Sequence, residues 1–327
     1  MAYKNSAALI GSTSSASTPC MTSSHCQATI PYDILSAIFQ EHVIDLLDSH
    51  ADRPPRPSAY EGPLLLSHVC RHWREVALST PVLWSALTID RNFAYPIISH
   101  YLILAREIPL RLYITQWSYY GKDPDRGILD LLLSRAGRWQ CVRILFDEDT
   151  ALEVLRRFDR ELDVKNRQNL VFGTLEEARI EGAILVSTET SKKLLSFFLD
   201  RRRFPRLRRL DWSLDLSFLG DPLSFKGANI NWEGLDYLKL TFPPPMAACL
   251  GLLRQCHNLR NLNVDFRNCY SSSRSHVASS DLNTLVVPPN SFRELTVYVG
   301  APVIGRILNR YINSNLACGN WVVNVYS

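Results

Sequence analysis

Six times along this chain an apolar residue is followed by two others, an apolar residue, one other and a further apolar residue. The copies are Trp139-Gln140-Cys141-Val142-Arg143-Ile144, the looser Leu175-Glu176-Glu177-Ala178-Arg179-Ile180, Leu207-Arg208-Arg209-Leu210-Asp211-Trp212, Leu235-Asp236-Tyr237-Leu238-Lys239-Leu240, Leu259-Arg260-Asn261-Leu262-Asn263-Val264 and Phe292-Arg293-Glu294-Leu295-Thr296-Val297. Their starts differ by 36, 32, 28, 24 and 33 residues. Alternation at the end of each copy has the period of a strand with one buried face.

Helical signals lie between the copies. Thr150-x-x-Glu153 forms a capping box ahead of Leu152, Leu155, Phe158 and Leu162. Further stripes fall at Leu194, Leu195, Phe198 and Leu199, at Met246, Cys249, Leu250 and Leu253, and at Val303, Ile304, Ile307, Leu308, Tyr311 and Ile312. Strand and helix alternating at this interval predict an irregular α/β solenoid of leucine-rich-repeat-like units over 91–327; a compact parallel α/β domain is the alternative. With stacked parallel strands, the residues between the buried ones form a mixed-charge ladder with a basic excess: Arg143, Glu177, Arg179, Arg209, Asp211, Tyr237, Lys239, Asn261, Asn263, Glu294 and Thr296. Such a surface suits a protein segment better than a small apolar ligand; Arg143, Arg179, Arg209, Asp211, Tyr237, Lys239, Asn261 and Asn263 are the candidate target-binding residues.

Composition fits a chain of one or two domains: 327 residues, 46% hydrophobic and 21% charged. A net charge of +4 gives little reason to expect nucleic acid as the main partner. No uncharged apolar run reaches the roughly 18 residues of a membrane span. The eight Cys are scattered without a CxxC pair, as expected of reduced thiols in a cytoplasmic or nuclear protein. Residues 1–29, with eleven Ser/Thr and Lys4 as their one basic residue, lack a signal-peptide core and read as a disordered tail. Cys20, His25 and Cys26 there lack two further ligands for a metal.

Order is expected from Ile30. Pro31 suits a helix start, and Ile34, Leu35, Ile38, Phe39, Val43, Leu46 and Leu47 fall on one 3.6-period stripe. Residues 48–62, holding Pro54, Pro55 and Pro57 with Pro63 closing the run, read as a solvated loop. Helix resumes at 64–77 with a face at Leu66, Val69, Cys70, Trp73, Val76 and Ala77, stops at Thr80-Pro81, and is followed by Val82-Leu83-Trp84. His68 and His72, four apart, have no third ligand nearby and read as solvated or capping. Two short amphipathic helices make a thin core and leave apolar surface for a partner.

Ile30-Pro31-Tyr32-Asp33-Ile34-Leu35-Ser36-Ala37-Ile38-Phe39 resembles the opening of an F-box, and Val69-Cys70-Arg71-His72-Trp73-Arg74-Glu75-Val76-Ala77 with Pro81-Val82-Leu83-Trp84 resembles its ending. The phrasing is similar to the F-box families of fungi; Ile30, Asp33 and the Pro-rich insertion depart from the pattern without removing an apolar anchor. The resemblance implies an F-box helical module over 30–90 that docks on a Skp-type adaptor of a cullin-RING ubiquitin ligase. It assigns Pro31, Ile34, Leu35, Ile38, Val69, Cys70, Trp73, Leu83 and Trp84 to the adaptor-facing set. It also implies a divergent repeat domain behind the box, with 109–114 and 131–139 as connecting segments, and a non-catalytic role in recruiting a target protein. A non-degradative interaction scaffold is the alternative.

The run Arg201-Arg202-Arg203-Phe204-Pro205-Arg206-Leu207-Arg208-Arg209 places six Arg in nine residues. Three readings stand: cations finishing the preceding helix against its dipole, capture of phosphate or carboxylate by forked guanidinium groups, or a nuclear-import or nucleic-acid patch. No Gly-rich phosphate loop, GxSxG elbow, HExxH or paired-Cys motif is present, so neither catalysis nor a cofactor or metal is expected.

Overall fold

The computed structural model describes residues 30–49, 62–89, 94–114, 126–164, 172–182, 186–216, 231–242, 252, 255–265, 294–299 and 320–325. The expected tail 1–29 with its Cys and His, most of the Pro-rich loop and the stripes at 246–253 (Leu252 apart) and 303–312 lie outside the described residues.

Pro31 stands just before α1 (Tyr32–Ser49), its carbonyl accepting the Leu35 N–H at 3.0 Å. α1 therefore runs two residues into the segment expected to be loop from 48. Leu35, Phe39 and Val43, each one turn on from the last, point into the protein. The single helix expected over 64–77 is two: α2 (Gly62–Val69) and α3 (Arg71–Ser79). They part at Cys70, whose backbone is extended (φ −156°, ψ 174°) and whose Sγ accepts the Trp73 N–H at 3.5 Å. The break lets Leu66 from one helix and Val76 and Ala77 from the other reach one core. Side chains tie the helices together: Tyr32 hydroxyl to Ser79 hydroxyl at 2.9 Å, Ser36 to Thr80 at 3.2 Å, and the His72 ring to the Ile30 carbonyl at 3.1 Å. His68 and His72 thus sit on different helices.

A 3-10 turn, Pro81–Trp84, leads into the strands, nine among the described residues: β1 (Ala86–Ile89), β2 (Leu110–Ile114), β3 (Trp139–Phe146), β4 (Glu177–Gly182), β5 (Arg209–Ser213), β6 (Tyr237–Leu240), β7 (Asn261–Asp265), β8 (Glu294–Val299) and β9 (Asn320–Val325). They form one parallel sheet in sequence order, so the chain is mixed helix and strand of the α/β kind. Helices α4 (Tyr95–Leu104), α5 (Arg126–Leu133), α6 (Glu148–Val164) and α7 (Thr188–Phe198) cross between the first five strands. The six apolar copies fall on β3 to β8. Two corrections concern the other end: 109–114, expected as a connecting segment, contributes β2, and β1 lies inside the stretch assigned to the helical module, so the sheet begins before residue 90.

Register turns the sequence repeat into rows. Leu87, Leu112, Val142, Ala178, Leu210, Leu238 and Leu262 are aligned across seven strands, and so are Ile89, Ile114, Ile144, Ile180, Trp212, Leu240 and Val264. Every one is buried, in the same cluster as Ile98, Leu132, Val154, Leu194 and Phe198 of the crossover helices. Removing each large apolar side chain from water contributes about 1.5–3 kcal/mol, and two-residue alternation holds all of them on one face. That cluster also contains Leu35, Phe39, Val76 and Leu83, so no seam divides the helical unit from the sheet. Trp84 is the joint: its indole N–H donates to the Ala77 carbonyl at 2.8 Å and its ring meets Tyr101 of α4 edge-on at 4.9 Å.

Two local expectations are corrected. α6 starts ahead of Thr150, and its first turn is capped by Asp147, whose Oδ1 accepts the Thr150 N–H at 2.7 Å. Among its described side chains Thr150, Ala151 and Val154 are buried, whereas Leu152 is only partly so. α7 ends at Phe198, before Arg201 to Arg203, so those arginines do not close the helix.

Candidate functional site

Two surfaces carry the candidate residues. On the helical unit, Ile34 and Ile38 lie one turn apart on the outer side of α1 at 55% and 50% exposure, and Val69, at the end of α2, is 55% exposed. Pro31 and Cys70 are exposed as well. Trp73 is half-buried, its ring edge-on to Phe39 at 5.0 Å. Leu35, Leu83 and Trp84, expected to face an adaptor, are each 1% exposed; they hold the unit together from inside, and no partner can touch them in this arrangement. Exposed apolar residues outside the expected set are Ile30, Tyr32, Ile44, Leu65, Leu78 and Val82. The stripe at i, i+4 gave both inner and outer residues of α1, because its apolar surface is wider than the core it covers.

The second surface is the face of the sheet opposite the apolar rows. In register across it run Tyr113, Arg143, Arg179, Asp211, Lys239, Asn263 and Thr296, and beside them Arg111, Cys141, Glu177, Arg209, Tyr237, Asn261 and Glu294. All eight expected target-binding residues are therefore brought together on adjacent strands. Arg111, Tyr113 and Cys141 extend the rows and were missed, although Leu110-x-Leu112-x-Ile114 shows the strand alternation.

The rows are cross-linked by charge. Asp211, its side chain 6% exposed, accepts from Lys239 Nζ at 3.1 Å and from Arg179 Nε at 3.2 Å, both on Oδ2. Its Oδ1 is buried with no hydrogen-bond partner among the described residues. Arg143 Nε meets Glu181 at 2.8 Å, and Arg209 Nε lies 3.7 Å from Glu177 with its guanidinium 5.0 Å from the Tyr237 ring centre. Ser213 and Thr241 hydroxyls pair at 2.8 Å. Four strands are thus stitched into a rigid, mixed-charge floor.

Burial pushes the Tyr113 hydroxyl up to about 12, and burial with the neighbouring Glu177 carboxylate raises the Cys141 thiol to about 12. Cys141 is held as a protonated thiol, the form that neither attacks carbonyl carbon nor binds a metal. Among the described residues, no three His, Cys, Asp or Glu side chains gather as a metal site, and no helix is long and apolar enough to cross a membrane. The floor can hold extended polypeptide by hydrogen bonds and charge, with Tyr237 and Tyr113 as flat contacts. No family model matches the chain, and no curated protein matches it.

Proposed function

We propose that this chain is a substrate-recruiting F-box subunit of a Skp-adaptor, cullin-RING ubiquitin ligase, without catalysis of its own. The observation that carries the reading is the exposure of Ile34, Ile38 and Val69 on helices whose sequence resembles the box. Leu35, Phe39 and Val76 beneath them already close the core, so the outer residues add nothing to folding. Their exposure costs solubility unless another polypeptide covers them. Pro31, Cys70 and the outer edge of Trp73 complete the proposed contact.

The sheet is read as a solenoid of leucine-rich-repeat-like units, one strand per unit, with the target held on Arg179, Arg209, Tyr237, Lys239, Asn261 and Asn263; Arg143 and Asp211, expected among them, are buried and paired within the sheet, and brace that face instead. Other subunits transfer ubiquitin, and this chain raises the local concentration of the target beside them.

Co-expression with a Skp-type adaptor tests the first half. The intact chain should purify as a stoichiometric complex. Ile34→Asp with Ile38→Asp should weaken the complex at least about thirtyfold, the loss of hot-spot contacts worth about 2 kcal/mol or more. An intact chain that stays alone beside excess adaptor sinks the reading. Loss of adaptor binding with unchanged turnover of the captured target points instead to a non-degradative scaffold.

A further inference from the structure

Among the described residues, the turns that lead into the parallel strands lie at one end of the sheet, and the turn ahead of β5 differs from its neighbours. Phe204 and Leu207 are buried there, and Phe204 stacks on Phe172 at 4.7 Å and on Phe198 at 5.5 Å. With those two side chains anchored inward, Arg201, Arg202, Arg206 and Arg208 are forced outward and are exposed. None of the four makes an ion pair among the described residues.

The other two arginines of the run are engaged. Arg203 Nε pairs with Asp200 at 3.3 Å, its guanidinium lies 4.8 Å from the Phe197 ring centre, and its carbonyl accepts the Phe172 N–H at 2.9 Å. Arg209 holds Glu177 and Tyr237. The turn itself is closed by the Arg203 and Phe204 N–H groups on the Asp200 carbonyl, both at 2.9 Å, and by the Arg202 N–H on Asp200 Oδ1 at 3.0 Å. Four unpaired guanidinium groups therefore stand on a preorganised base, which lowers the entropic cost of binding.

We propose that this turn docks an acidic segment of the target polypeptide, its side-chain oxyanions taken in forked pairs by Arg201, Arg202, Arg206 and Arg208. The proposal rests on the reading of the sheet as the target-holding part and names the chemistry of that target. Arg208 and Arg209 lead from the turn onto the ladder, so one extended chain can lie across both. A nucleic acid fits less well. Glu176 and Asp236, just ahead of β4 and β6, flank Arg208 and are joined to it through backbone N–H and carbonyl groups at 2.8–2.9 Å, and Glu233 is exposed on the next turn. Acidic side chains thus interrupt the positive surface between this turn and the exposed Arg135 and Arg260 of the turns ahead of β3 and β7, whereas a phosphate backbone needs a continuous stripe of positive charge.

Fluorescence anisotropy with the full chain tests this, using a labelled hexaglutamate peptide, a phosphoserine peptide of the same length and a hexanucleotide of single-stranded DNA. Saturable binding of either peptide is expected, weakened by salt and weakened roughly tenfold or more by combined R201E, R202E and R206E; which peptide binds tighter identifies carboxylate or phosphoryl as the source. Absence of peptide binding, equal binding by the variant, or tighter binding of the hexanucleotide overturns the proposal. Far-UV circular dichroism and adaptor co-purification should be unchanged in the variant. A chain that binds adaptor but no peptide loses this inference alone, and one that binds peptide but no adaptor loses the ligase reading alone.

Discussion

At the scale of single residues, neighbours in sequence have opposite jobs. Ile34 is exposed and Leu35 is buried, so their substitutions should separate binding from stability. Trp84→Ala removes an indole that is fully enclosed and hydrogen-bonded, and it should destabilise the chain by about 3–5 kcal/mol, read as a lower denaturation midpoint. Ile34→Asp should move that midpoint little while weakening adaptor binding. Asp211 is a second case. Its carboxylate joins Arg179 of β4 and Lys239 of β6 on either side, and Asp211→Ala leaves those two cations facing each other across β5. A loss of about 2 kcal/mol is expected, partly regained in Asp211→Ala with Lys239→Met; a double-mutant cycle by urea denaturation measures the coupling. The sequence placed Asp211 on the ladder but not in the pair, because partners on different strands are 28 or more residues apart.

At the scale of elements, α6 and α7 are joined by one carboxylate. Glu148 accepts the Ser187 N–H at 2.7 Å, the Ser187 hydroxyl at 2.8 Å and the Thr190 hydroxyl at 2.5 Å, while Ser187 itself caps α7 by accepting the Thr190 N–H. Burial works against the charge, but these hydrogen bonds outweigh it and hold the carboxyl below its ordinary value of 4.5. A carboxylate depressed in the folded state stabilises above its unfolded value, and that contribution is lost as pH falls through the folded one. Glu148→Gln should therefore lower stability at neutral pH and flatten its decline below about pH 4.5, seen in urea midpoints taken across the acid range. An acid limb identical to the unchanged chain would show that the cap carries no such linkage. The capping box at Thr150 was a fair reading of the sequence, yet Asp147 takes the cap, since the chain leaves β3 only after Phe146 and the helix must start at once.

At the scale of the whole molecule, one apolar cluster runs from Leu35 of α1 to Val264 of β7. The helical unit and the sheet should accordingly unfold together. Tryptophan fluorescence and far-UV circular dichroism are expected to give coincident thermal transitions, and Trp84→Ala should lower both by the same amount. An earlier, separate loss of helix would show that the unit is autonomous.

Local pattern alone determined much of this protein. Two-residue alternation marked β3 to β8 and gave the ladder positions, since period decides which face a strand residue occupies, and the three-to-four spacing marked α1. Register, and with it every ion pair of the ladder, came only from tertiary structure, because a parallel crossover leaves strand ends dozens of residues apart with nothing local to align them. The same holds for which side of an apolar helix stays wet. Ile34, Leu35 and Ile38 are alike as residues, and only the packing of α2, α3 and the Pro81–Trp84 turn against α1 decides which of them is left for a partner.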